Sequence, residues 1–119
     1  MLMLNHMVHY QESSRIDLVC AAIADPTRRA IMQTLARGPA RMSDIASSFP
    51  MTLTGFSKHV KVLERSGLIR RTRQGRENTL HLMPDALREV ASWVLQYKQF
   101  WTERLDRLEA FFAESKEKL

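Results

Sequence analysis

What this sequence lacks narrows its function before any motif is read. Its 119 residues include one cysteine, four glycines and four prolines. A lone cysteine closes no internal disulfide and builds no multi-cysteine zinc site, which favours a reducing, cytoplasmic setting. No apolar run approaches the ~20 residues of a membrane span, so no membrane partner is expected. The first ten residues set Asn5, His6 and His9 inside an apolar stretch with no basic front, which makes a poor secretory signal. A phosphate loop, a dinucleotide-binding glycine set, paired carboxylates in a glycine-rich loop and a nucleophile elbow are all missing, so neither an enzyme nor a cofactor is expected. What remains, 45% hydrophobic and 26% charged residues, is the composition of a globular domain. Its length suits one domain, expected over residues 14–119 behind a flexible segment at 1–13. Such a chain buries roughly 65% of its unfolded surface and needs no disulfide or metal staple.

Acidic residues are scarce where basic ones gather. From Met51 to Leu82, seven basic residues (Lys58, Lys61, Arg65, Arg70, Arg71, Arg73, Arg76) meet two acidic ones, Glu64 and Glu77. That segment carries the whole net charge of +5, against +1 for residues 1–50 and −1 for residues 83–119. An excess confined to one segment marks a surface for a polyanion. The plainer alternative is a solvated surface with chance clustering.

Hydrophobic spacing orders the elements. Ile16, Val19, Cys20 and Ile23 predict an amphipathic helix from Ser14 to Ile23, with the cysteine buried and inert. Asp25 and Pro26 supply an N-cap and a first helical residue for a second helix that runs to about Arg37 with Ile31 and Leu35 inward. Gly38-Pro39 stops it. Ser43 is the expected cap of a short third helix with Ile45, Ala46 and Phe49 inward. Thr52 caps a fourth, in which Phe56, Val60 and Leu63 form the anchored face and Gly67 takes the left-handed position that ends it. Leu68 to Arg73 and Asn78 to Leu82 read as two strands around a Gly75 turn. Pro84 opens a last helix with an apolar stripe through Leu87, Val90, Val94, Tyr97, Trp101, Leu105, Leu108 and Phe112. Such a stripe is a packing seam rather than a cofactor box.

The third and fourth helices with the basic hairpin make a helix-turn-helix followed by a wing. The expected class is therefore mainly α, with a two-stranded β wing and a long C-terminal dimerisation helix. A major groove admits one helix, provided that its far face is held by a core and its near face is polar. Thr52, Thr54, Ser57, Lys58 and Lys61 can face outward for bases or phosphates. At the hairpin tip Arg73, Gln74 and Arg76 can reach the DNA backbone or an adjacent minor groove. The expected partner is double-stranded DNA. A winged helix used only as an interaction or dimerisation module is the competing reading, and the basic excess between Met51 and Leu82 argues against it.

The stretch SDIASSFPMTLTGFSKHVKVLERSGLIRRTRQGRENTLHL resembles the winged-helix repressors of the ArsR/SmtB family, whose pattern appears as Ser57, His59, Val60, Leu63, Gly67-Leu68-Ile69 and Gly75-Arg76. Upstream, ADPTRRAIMQTLARGP is similar to that family's second helix, and the likeness spans about residues 15–100. It implies a homodimeric transcriptional repressor that sets its fourth helix in the major groove. By the same resemblance Ser57, Lys58 and Lys61 contact DNA from the helix, and Arg73 and Arg76 from the wing. Departures point to the family's non-metal branch. Arg41 to Ile45 holds no cysteine where metal sensors carry their Cys-x-Cys-type motif, and residues 83–119 hold no histidine for a site on the last helix. No metal site is expected.

Single residues remain ambiguous. His59 serves either a phosphate or local helix packing. Arg28 and Arg29 either touch phosphate or stay solvated. His6 and His9 have a metal-like spacing but no further ligands. The last helix, if continuous, is about 30 residues and ~45 Å long, more than its own domain needs. Its exposed stripe exceeds the patch a soluble monomer normally shows. A homodimer is therefore expected, joined through Ile16 and Val19 of the first helix and Val94, Trp101, Leu105 and Leu108 of the last.

Overall fold

The computed structural model describes residues 14–117, with side chains over 15–114. The flexible segment expected at 1–13, with His6 and His9, lies outside the described residues. The chain falls into two compact units, one ending at Arg88 and one beginning at Glu89.

The first unit opens with α1 (Ser14–Ile23) and α2 (Pro26–Leu35). Asp25 caps α2 as its sequence predicts: its backbone is extended and its carboxylate accepts from the Arg28 backbone N–H at 3.0 Å. α1 is rotated relative to expectation. Its buried stripe runs through Val19, at 1% exposure, and Ala22, at 0%. Cys20 lies about 100° from Val19 on the side away from Ala22. It is therefore exposed, not buried.

A two-residue strand, β1 (Ala40–Arg41), precedes α3 (Met42–Ala46) and α4 (Leu53–Arg65). β2 (Ile69–Gln74) and β3 (Glu77–Leu82) form the hairpin, and β1 pairs with β3, so the wing is a three-stranded antiparallel sheet in the order β1-β3-β2 rather than the expected two strands. Pairing of Arg41 with Thr79 holds Arg41 extended, and that conformation starts α3 one residue before Ser43. Ser43 is not the cap; Arg41 occupies that position without a side-chain bond.

α4 ends in a Schellman arrangement. The Leu68 N–H donates to the Leu63 carbonyl at 3.1 Å and the Gly67 N–H to the Glu64 carbonyl at 3.0 Å. Gly67 adopts φ 81°, which a side chain would strain. Gln74 pairs with Glu77, leaving Gly75-Arg76 as a two-residue loop. Glycine with φ 64° at the first loop position is the type II′ pattern. Phe56, Ile31, Leu63, Leu68, Leu80, Val19 and Val60 fill the core of this unit. The Phe49 and Phe56 rings meet at 5.5 Å.

A 3-10 turn, Pro84–Leu87, leads to α5 (Arg88–Leu95) and α6 (Lys98–Glu117). The last helix is thus not continuous. At Gln96 and Tyr97 the backbone N–H groups donate three residues back, to Trp93 and Val94, at 3.2 and 3.0 Å. Neither proline nor glycine lies at the break. Its long member, α6, has 20 residues and spans ~30 Å rather than ~45 Å. In the second unit Trp93 and Tyr97 meet edge to face at 5.5 Å, and the Arg104 guanidinium sits 4.1 Å over the Phe100 ring.

Candidate nucleic-acid interface

α3 and α4 are joined by a turn that satisfies its own polar groups. Ser47 and Ser48 hydroxyls donate to the Asp44 and Ile45 carbonyls at 2.8 and 2.7 Å. Thr52 caps α4, its hydroxyl oxygen accepting from the Gly55 N–H at 3.1 Å. That use makes Thr52 a helix-positioning group first. With Phe56, Val60 and Leu63 buried, helical geometry turns Thr54, Ser57, Lys58 and Lys61 away from the core, while Leu53 shares the edge of the apolar stripe but stands exposed in the first turn. Thr54, Lys58 and Lys61 are exposed, and Ser57 is half-buried.

Across from α4 stands the hairpin. A cleft of about 350 Å³ lies between them, lined by Met42, Ser43, Leu53, Ser57, Arg71, Arg76, Glu77 and Asn78. The cleft lies between Ser57 on α4 and Arg76 at the hairpin tip. Arg73 and Gln74 are exposed at the same tip, and Arg73 is steadied by donating from Nε to the Gly75 carbonyl at 3.1 Å.

Ion pairs sharpen the charge pattern. Glu64 accepts from Arg71 at 2.7 Å, and Glu77 forms an ion pair with Arg41 at 3.1 Å. Both acidic residues of the basic segment are therefore neutralised by partners. Arg71 leaves the set of free cations, while Lys58, Lys61, Arg65, Arg70, Arg73 and Arg76 stay exposed.

Arg28 is a clamp rather than a phosphate ligand. Its guanidinium donates to the Ala22 carbonyl at 2.7 Å, the Ala21 carbonyl at 2.9 Å and His59 Nδ1 at 3.2 Å. It closes the end of α1 and holds α4 at once. Arginine only donates, so Nδ1 is the accepting atom of this contact. His59 is half-buried, with Asp25 Oδ2 at 3.8 Å from Nδ1, so the packing alternative accounts for that ring nitrogen. The backbone N–H of Arg28, more than any other group, holds the Asp25 carboxyl below its ordinary pKa. Burial opposes this, and the charge of Arg28 adds to it. Arg29 is exposed and donates to the Ile23 carbonyl at 2.8 Å.

Sequence reasoning missed Arg28 as the tie to α4, because its partner lies 31 residues away. It also passed over Leu53, which a polar–apolar pattern assigns to the core but which is 64% exposed. Val19, expected at a dimer face, belongs to its own core, and Leu18 beside it is exposed instead. Ile16 and Val94 are half-buried. Among the described residues no three His, Cys, Asp or Glu side chains gather where they could hold a metal ion, and no helix is long and apolar enough to cross a membrane.

An anchored helix with a polar outer face beside a basic hairpin defines the winged helix-turn-helix class. Comparison with known proteins agrees. A helix-turn-helix domain family matches residues 23–72. The chain is 33% identical over 89 residues to the HTH-type transcriptional regulator Rv2034 of Mycobacterium tuberculosis, spanning 75% of this chain and 80% of the relative. It is 32% identical over 79 residues to the transcriptional repressor SdpR of Bacillus subtilis, spanning 66% and 88%. A crystal structure of an ArsR family transcriptional regulator superposes with a TM-score of 0.69 at 38% identity, covering 75% of this chain and 92% of the other. The chain belongs to the ArsR-type winged helix-turn-helix transcriptional regulators, a class that binds DNA.

Proposed function

We propose that this chain is a cytoplasmic homodimeric repressor that binds an inverted-repeat operator, acting by binding alone, without catalysis, metal or cofactor. The observation that carries this reading is the basic surface that α4 and the hairpin present on either side of the cleft, with the nearby acids paired away. Thr54, Ser57, Lys58 and Lys61 meet the major groove, with Ser57 and Lys61 reading or clamping it. Arg73, Gln74 and Arg76 hold the flanking backbone. Thr52 sets the helix start, and His59 with Arg28 sets its orientation.

Dimerisation is supported by the apolar face of α6, where Trp101 is 49% and Leu105 63% exposed. Leu108 extends that face, and Ile16, Leu18 and Val94 are the further candidates for contact with the partner. Two copies related by a two-fold axis present two reading helices, which suits half-sites one helical turn apart, about 34–36 Å. The relative named a repressor supports that direction of control.

Selection of bound duplexes from random DNA by the purified protein tests the proposal. Enriched inverted repeats are expected. Binding without enrichment would leave a module with no sequence preference and overturn it.

A further inference from the structure

Leu53 is out of place on a surface built for DNA. Among the described residues before Arg88, it and Leu18 are the large hydrophobic side chains left exposed, and Leu53 is the more exposed, at 64%. It is the first residue of α4, directly after the Thr52 cap. Thr54 follows it, Ser57 lies one turn on, and Met42, Arg71, Arg76 and Asn78 share the cleft that it lines. The basic charge around it, from Lys58, Lys61 and Arg76, favours nucleic acid as the partner of this face.

In a major groove a leucine can neither donate nor accept a hydrogen bond. The apolar group that a base pair displays there is the C5-methyl of thymine. The first residues of a recognition helix are those that approach base edges. Methyl burial gives an apolar side chain at this position a specific use, and it adds information that the hydroxyl and ammonium groups beside it do not carry.

We propose that Leu53 is a specificity-determining residue that packs on the C5-methyl of a thymine, so that each half-site carries an A·T pair opposite the first turn of α4. This rests on the DNA-binding reading above. The test uses the duplex recovered by selection, with each thymine in turn replaced by deoxyuridine, which removes the methyl and keeps the base pairing. For the parent protein, one position per half-site should weaken binding about fourfold, the loss of one buried methyl group. The Leu53→Ala variant, an exposed change that leaves the core intact, should bind the thymine and uracil duplexes equally at that position. Equal parent affinity for every uracil duplex would overturn the proposal. So would a uracil penalty that persists undiminished in Leu53→Ala, since another residue or DNA shape would then read the methyl. Failure to select any duplex would instead remove the DNA-binding reading itself, and the two failures are distinguishable.

Discussion

Among the described residues before Arg88 the large apolar side chains, Leu18 and Leu53 apart, are turned inward; after Glu89 they are displayed. Phe56, Ile31, Leu63 and Leu68 are fully buried, whereas Trp93, Phe100, Trp101, Leu105, Leu108, Phe111 and Phe112 are all exposed. The two regions therefore use the same kind of residue for different ends. Burial in the first holds α4 in place from within one chain. Exposure in the second leaves ~30 Å of helix with apolar area of the kind that marks an interaction surface. α6 spreads this area over Phe100, Trp101, Leu105, Leu108, Phe111 and Phe112, an arc of about 140° on a helical projection, wider than a two-stranded coiled-coil seam.

The contrast is broken most severely from inside the first unit. Phe56→Ala empties a fully buried site against Phe49 and should cost about 3–5 kcal/mol of stability. Denaturant unfolding measures it. A loss well under 1 kcal/mol would mean that the anchored face of α4 does not hold the fold.

In the second unit the matching change should act between chains. Trp101→Glu with Leu105→Glu should shift sedimentation at low micromolar concentration from dimer to monomer. An interface tryptophan commonly contributes about 2 kcal/mol or more, roughly thirtyfold in the dissociation constant. The first unit should still unfold cooperatively in this variant. A double variant that stays dimeric would place the interface elsewhere and erase the distinction between the two regions.

The readable parts of the fold were those set by neighbours in sequence. Asp25-Pro26, Thr52, Gly67 and Gly75 each act within a few residues, through a cap, a left-handed turn or a hairpin loop, and each stands where its chemistry predicts. The outward face of α4 follows from the same 3.6-residue period that buries Phe56, Val60 and Leu63. β1 was hidden because two residues show no alternation, and its pairing with β3 is 38 residues distant at Arg41 and Thr79. Cys20 was misplaced because Ala22, small and easily discounted, is the residue that turns inward. The break at Gln96–Tyr97 carries no proline or glycine signal. The Arg28 clamp depends on three elements meeting, and Leu53 went unassigned because it shares the apolar period of Phe56 and Val60 yet stands exposed in the first turn.

Surface changes should sharpen the comparison without touching stability. Arg76→Ala at the hairpin tip removes an exposed cation and should leave stability within about 0.5 kcal/mol. Affinity should fall for all duplexes alike, and the slope of log K against log salt should flatten by about 0.9 for one lost phosphate contact. Lys61→Ala should weaken the selected operator more than random DNA if it reaches a base edge. A salt slope unchanged from the parent would deny Arg76 a phosphate role.

The smallest expected effect is the pH dependence carried by Asp25. Its carboxyl is held below the ordinary value of 3.8, chiefly by the Arg28 backbone N–H that it caps. A depressed carboxyl pKa in the folded state means that the unfolded chain binds the proton more tightly. The resulting stabilisation is fully present above the ordinary carboxylate value and is lost as pH falls below it and through the folded-state value. Asp25→Asn keeps a capping side chain but removes the titration, since asparagine caps about as well as aspartate. At neutral pH the variant should stay close to the parent, whereas Asp25→Ala should lose about 1 kcal/mol at every pH above the transition. In acid, the parent should lose its small advantage over Asp25→Asn, and the difference between their urea midpoints should close as pH drops below the ordinary value. That difference isolates Asp25, because every other carboxylate is common to both proteins. A gap that stays constant down to strongly acidic pH would show that the cap works through geometry alone and that the Asp25 charge adds nothing to the junction of α1, α2 and α4.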